Sequence, residues 1–243
     1  MLTKTGIGAI FIAACYCVGM ISSSSAVPED PNLAALKKGN ADYRSGHFTN
    51  QVKRSTAAVR TDLATNGQHP KTIILTCADS RVPPEIIFNK GLGELFIIRV
   101  AGNVVSAYEL ASIEYGVEHL GAKQIVVLGH SKCGAVKEAF NNYTALRSFR
   151  SLAGKPGFSN LSSLVNAIRP AVAAADRDHN RPISELWEAS IDENVKLVKE
   201  QLVSGSSILE EKINASQPEV KVTLIGAKYD ISAGTVSWLF QPL

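Results

Sequence analysis

Lys71-Thr72-Ile73-Ile74-Leu75-Thr76-Cys77-Ala78-Asp79-Ser80-Arg81 reads as a short apolar strand that runs out into a thiol, a carboxylate and a guanidinium. A second stretch repeats the arrangement: Gln124-Ile125-Val126-Val127-Leu128 is followed by Gly129-His130-Ser131-Lys132-Cys133. Runs this apolar, with no polar alternation, suit parallel strands covered on both faces. In open sheets of that kind, ligands sit outside the carboxyl ends of the strands. Both chemistry-bearing segments therefore fall at one edge of one sheet. If their strands are neighbours, Cys77, His130 and Cys133 come within reach of a single metal ion.

Working outward, Phe96-Ile97-Ile98-Arg99-Val100 and Val220-Lys221-Val222-Thr223-Leu224-Ile225 supply two more strands. Helices are predicted over 31–45, 51–66, 106–119, 134–149, 161–176 and 184–203. The first opens after Asp30-Pro31, where proline suits the first helical turn. The alternation predicts an α/β fold with a central, mostly parallel four-stranded sheet flanked by helices. Residues 150–160, with Gly154, Pro156 and Gly157, read as a loop inside the helical region.

A chain of 243 residues, 45% hydrophobic and 19% charged, suits one domain with a sizeable core. The formal charge of +3 is spread without a Lys/Arg block, which argues against a nucleic-acid partner or a basic membrane-binding stripe. Residues 1–26 differ from the rest. Lys4 precedes an uncharged, mostly apolar run from Thr5 to Ile21, then Ser22 to Ser25 and Ala26. This is the order of a secretory signal peptide, with cleavage expected after Ala26. The single domain then spans 27–243, and the expected location is outside the cytoplasm, in the periplasm. Membrane attachment follows only if the leader is retained as an anchor, for which the run is slightly short, or if Cys15 of the lipobox-like Ile12-Ala13-Ala14-Cys15 is lipidated.

Cleavage removes Cys15 and Cys17 and leaves Cys77 and Cys133. In an exported protein two cysteines suggest a disulfide. Their neighbours favour a metal instead, because a structural disulfide needs no histidine three residues before one cysteine and no Asp and Arg just after the other. Zinc takes four N, S or O ligands, and a catalytic site keeps one position for water. Two thiolates and an imidazole leave the ion formally neutral, so a bound water still loses a proton toward neutral pH. Asp79 is either a fourth ligand that closes such a site or, where Arg81 pairs with the carboxylate, a neighbour that leaves the position to water. Asp79 is then a proton acceptor aiming the nucleophile at substrate.

Cys77-Ala78-Asp79-Ser80-Arg81-Val82 and Gly129-His130-Ser131-Lys132-Cys133-Gly134-Ala135, with Phe96 to Asn103 and Ile113-Glu114-Tyr115 between them, resemble the β-class carbonic anhydrases. The resemblance covers residues 66–140, with a looser fit at Val222 to Ile231. It implies zinc (Zn2+) held by Cys77, His130 and Cys133, an Asp79–Arg81 catalytic dyad, and reversible hydration of carbon dioxide to bicarbonate and a proton. It also implies a homodimer or homotetramer with the active site near the subunit interface. By the same resemblance Gln68 binds a substrate oxygen, while Phe96 and Tyr115 line a narrow apolar pocket; as residues alone they read as a polar loop position and two core aromatics.

Ile74, Val100 and Gly102 depart from the family pattern. Some bacterial members bind bicarbonate at a regulatory site that uses a tryptophan where this chain has Ile74, although Arg99 and Tyr229 match other members of that site. The usual Arg-Asn-Xaa-Ala-Asn segment reads Arg99-Val100-Ala101-Gly102-Asn103. His47, His69, His119 and His179 read as solvated loop or helix-end residues, and nothing in the sequence marks any one of them as a proton shuttle. A serine hydrolase fails because Cys133 stands where a nucleophile elbow needs glycine. A nucleotide site at Gly91-Leu92-Gly93 lacks the remaining glycines and precedes a strand. The remaining alternatives are a related zinc hydrolase acting on another small linear molecule such as carbon disulfide, and a catalytically silent zinc-binding protein.

Overall fold

A computed structural model describes residues 29–147, 160–177 and 181–240. The predicted leader, the loop positions 150–159 and His179 lie outside the described residues. The chain opens with α1 (Pro31–Arg44), whose Pro31 occupies the first turn and whose N-cap Asp30 accepts from the backbone N–H of Asn32 and Leu33. Two short helices follow, α2 (Thr49–Lys53) and α3 (Ala57–Asn66). A single helix over 51–66 was the expectation. It is broken at Arg54 to Thr56 because Thr56 leaves the helical region and caps α3, its hydroxyl accepting from Val59 N at 3.3 Å.

The remaining elements are β1 (Thr72–Thr76), α4 (Pro84–Ile87), β2 (Leu95–Arg99), α5 (Ala107–Glu118), β3 (Gln124–His130), α6 (Gly134–Arg147), α7 (Asn160–Ala175), α8 (Ile183–Gly205), α9 (Ser207–Asn214), β4 (Thr223–Tyr229) and β5 (Val236–Phe240). The sheet has five strands in the order β2-β1-β3-β4-β5. The four predicted strands run parallel, and β5 adds a fifth, antiparallel to β4. The four-strand expectation is thereby corrected. β5 follows β4 through a tight turn at Asp230 to Gly234, where Asp230 Oδ1 accepts from Ser232 N and Ala233 N. The helices α4 and α9 were also unforeseen.

The strand side chains sort by parity, as a pleated backbone requires. Ile73, Leu75, Ile125, Val127 and Leu224 face Ile113 and Val117 of α5, Val195, Val198 and Leu202 of α8, and Leu209 and Ile213 of α9. Ile74, Val126, Leu128 and Ile225 face Leu33 and Leu36 of α1 together with Ile87 and Phe88. Helices on both faces explain why β1 and β3 are buried along their whole length. A third cluster lies at the carboxyl edge, where Val136 and Ala139 of α6, Val165, Ile168 and Val172 of α7 and Ile191 of α8 enclose Cys77 and Cys133. Among the described residues no helix is long and apolar enough to cross a membrane.

Candidate metal centre

β1 and β3 are direct neighbours, paired from Thr72↔Gln124 to Thr76↔Leu128. Thr76 Oγ1 donates to Leu128 O at 2.8 Å across the pair, close to the carboxyl edge. Cys77 is the residue after β1, and β3 extends two residues beyond its predicted end to finish on His130. Cys133 then starts α6, its carbonyl accepting from Lys137 N at 3.0 Å. One ligand atom from each of Cys77, His130 and Cys133 lies within 4.8 Å of the others, and all three residues are buried.

The donor set suits zinc. His130 Nδ1 lies 3.0 Å from its neighbour's carbonyl, Ser131 O, and donating there leaves Nε2 with a free lone pair. Nε2 is buried without a hydrogen-bond partner among the described residues. An orphaned buried nitrogen facing two thiols is costly by itself and is satisfied by a cation. Cys77 and Cys133 are both free thiols. Hydrogen bonding from the Cys133 thiol pulls the Cys77 thiol down, while the same contact and burial push Cys133 up. A divalent ion held by both sulfurs would take them as thiolates.

The flanking backbone fixes these positions. Gly102 N–H donates to Cys77 Sγ at 3.3 Å. Gly102 has φ +69°, and a Cβ there would sit 2.7 Å from Ile168 Cδ1, so the approach requires glycine. Arg99 holds the segment after β1 by donating from Nε to Cys77 O at 3.1 Å and from its terminal nitrogen to Asp79 O at 2.6 Å. Lys132, between His130 and Cys133, has φ +57°.

Asp79 and Arg81 form a two-pronged pair, with Arg81 Nε to Asp79 Oδ1 at 2.9 Å and Arg81 Nη2 to Asp79 Oδ2 at 2.7 Å. The Arg81 backbone N–H also donates to Oδ1 at 2.9 Å. Chiefly through the Arg81 side chain, the carboxyl is held well below the ordinary carboxylate range. Asp79 Oδ2 stands 3.9 Å from His130 Nε2, beside the three donors but engaged by the guanidinium.

The other predicted residues are not gathered here within one chain. Gln68 is exposed and precedes β1, so the length of the strand, roughly 16 Å, separates it from Cys77. Phe96 pairs with Ile73 near the opposite end of the sheet, its ring 6.2 Å from that of Tyr115, which is 48% exposed. Ile74 is core. Tyr229 pairs with His130 across β3 and β4, and its hydroxyl lies 3.1 Å from that of Tyr43. His47 and His69 are exposed, and exposed His119 stacks 5.1 Å from Tyr115. From sequence Arg99 matches a member of a regulatory site and Gly102 is only a departure from the family segment; their grip on Cys77 is not visible there. The signal available was the departure at 99–103, where glycine replaces the usual residue.

A family model described as carbonic anhydrase matches residues 72–236. Carbonic anhydrase 2 of Mycobacterium tuberculosis is 35% identical over 82% of this chain and 87% of its own length. The solved β-carbonic anhydrase of Coccomyxa, determined with acetazolamide, aligns with TM-score 0.63 and 25% identity over 88% of this chain and 89% of that one. The β-carbonic anhydrase of Aspergillus fumigatus aligns with TM-score 0.60 and 26% identity over 85% of this chain and 88% of that one.

Proposed function

The chain belongs to the β-class carbonic anhydrases, and from that premise we propose that it is a zinc enzyme hydrating carbon dioxide reversibly to bicarbonate and a proton. The observation that carries this reading is the buried Cys77, His130 and Cys133 triad with the Arg81-held carboxylate of Asp79 beside it. Zinc bound there supplies a Lewis acid that acidifies water toward neutral pH.

The protein's part is to hold and aim. The sulfurs of Cys77 and Cys133 and Nε2 of His130 would hold the ion, a three-donor set of the kind found at catalytic zinc sites. Asp79 stays ionised at Oδ2 and so acts only as an acceptor, taking a hydrogen bond from the attacking oxygen and turning its remaining lone pair toward substrate. Arg81 stops the carboxylate from becoming the fourth donor. A neutral, apolar substrate suits the apolar surroundings of Val104, Val136 and Ile168.

The pocket we propose is shared between subunits. Gln68, Phe96 and Tyr115 are remote from the triad of their own chain, and a homodimer, alone or paired into a tetramer, brings those of the partner subunit to the entrance. We also propose export through the 1–26 leader, which rests on the charge and hydropathy order of that segment alone.

Stopped-flow hydration of carbon dioxide by protein of known zinc content tests the reading. Turnover that scales with bound zinc supports it. Background activity at full zinc occupancy overturns it and favours a related hydrolase, assayed on carbon disulfide, or a silent zinc-binding protein.

A further inference from the structure

One helix reaches the segment that bears His130 and Cys133 directly, and Cys77 through Gly102. Trp187 of α8 donates from Nε1 to Cys133 O at 3.1 Å. Its neighbour Glu188 accepts from the backbone N–H of Lys132 at 2.8 Å. Two turns along, buried Asn194 donates from Nδ2 to Gly102 O at 2.8 Å, and Gly102 is the residue whose N–H meets the Cys77 sulfur. Two hydrogen bonds from this helix thus end on the segment that carries His130 and Cys133, and a third ends on Gly102, whose own N–H reaches the Cys77 sulfur.

The Glu188 contact has particular leverage. Lys132 adopts φ +57°, a conformation that a residue with a Cβ keeps only where its surroundings hold it. It stands between His130 and Cys133, so its turn sets the direction of both donors. Glu188 is itself fixed, with Oε2 3.1 Å from Lys228 Nζ, which also lies 3.1 Å from Asp192 Oδ1 and donates to Glu188 O at 3.3 Å. Trp187 is held in turn by Lys137, whose ammonium lies 4.8 Å over the indole.

We propose that α8 is the positioning helix of the metal centre, with Trp187 and Glu188 holding the segment of His130 and Cys133, and Asn194 holding Gly102 against the Cys77 sulfur, in the geometry that binds the ion. None of the three needs to touch metal or substrate. The inference rests on the metal reading above and adds which residues set the affinity and shape of the site.

Zinc affinity by chelator competition and the absorption spectrum of the cobalt(II)-loaded protein test it, both independent of turnover. Glu188→Ala and Trp187→Phe are each expected to weaken zinc binding by about 10- to 100-fold and to shift the cobalt ligand-field and thiolate charge-transfer bands. Glu188→Gln keeps an acceptor oxygen for Lys132 N–H and is expected to return near the native values. Lys196→Ala, on an exposed position of the same helix, is expected to change neither. Unfolding of the metal-free proteins in urea separates a general loss of fold. A Glu188→Ala protein that is less stable yet keeps native zinc affinity and a native cobalt spectrum overturns the inference, as does failure of Glu188→Gln to recover. Native protein that takes up no zinc overturns the metal reading as well.

Discussion

Asp79 and Cys77 are two residues apart, and the proposed mechanism gives them opposite tasks. Cys77→Ser and His130→Ala each remove a buried donor, so both are expected to lose stoichiometric zinc, measured by elemental analysis after dialysis. Asp79→Asn removes no donor. It replaces an acceptor-only carboxylate with an amide that presents N–H to the attacking oxygen or to the Arg81 fork. Zinc content should stay native while hydration falls about 100-fold or more. A zinc-replete Asp79→Asn enzyme of native activity rules out the dyad. Gly102 is a residue of a different kind, valued for the atom it lacks. With φ +69° and contacts of 2.7 Å to Ile168 Cδ1 and 3.2 Å to Ala135 Cβ awaiting any Cβ, Gly102→Ala should lower stability by about 1–3 kcal/mol in urea unfolding. It should also loosen the N–H bond to Cys77.

At the scale of elements, the parallel strands were legible because β-branched apolar runs have few other uses, and the two motifs were legible because each directly follows such a run. The adjacency of β1 and β3 was not, since strand order depends on how crossovers pack rather than on local pattern. Nor was β5. Val236-Ser237-Trp238-Leu239-Phe240 lies at the sheet edge, and its turn is made by Asp230, whose side chain competes for backbone N–H groups. Those bonds, from Ala233 N and then Ser232 N, hold the Asp230 carboxyl below its ordinary value. The sign follows directly. A carboxyl with a lowered folded-state pKa binds fewer protons folded than unfolded, so its contribution to stability is full above the unfolded value of about 4 and fades as pH falls below it. Asp230→Ala should therefore unfold at lower urea than the native protein at pH 7. The gap between the two should narrow as pH drops below about 4, whereas a gap of constant size across that range would assign the effect to the backbone of the turn alone. The contacts of Arg99, Trp187, Glu188 and Asn194 with the metal segments were likewise invisible in sequence, because each joins residues far apart in the chain with no spacing rule between them.

At the scale of the whole molecule, the described residues leave surface that their own packing does not account for. α2 and α3 contribute no buried residue. Tyr108 is 85% exposed and Val52 67% exposed. β2 is a sheet edge whose Leu95, Phe96, Ile97 and Ile98 are only half-buried, although an apolar edge strand left open invites pairing with another chain. Tyr115 sits against Phe96 on this side, and Gln68 precedes the neighbouring strand. The dimer proposed above would cover this side, accounting for both the exposed apolar groups and the distance of Gln68, Phe96 and Tyr115 from the triad. Light scattering with size exclusion should give a dimer or a multiple of it at micromolar concentration. Tyr115→Glu places a charge in the proposed contact and should shift the protein toward monomer and cut hydration by at least about tenfold, since a buried unpaired charge is strongly disfavoured. Zinc content should remain native, because Cys77, His130, Cys133 and the α8 contacts all lie within one chain. A monomer of full activity, in either the native or the Tyr115→Glu protein, would show that one subunit completes its own pocket and that Gln68 and Tyr115 take no part in it.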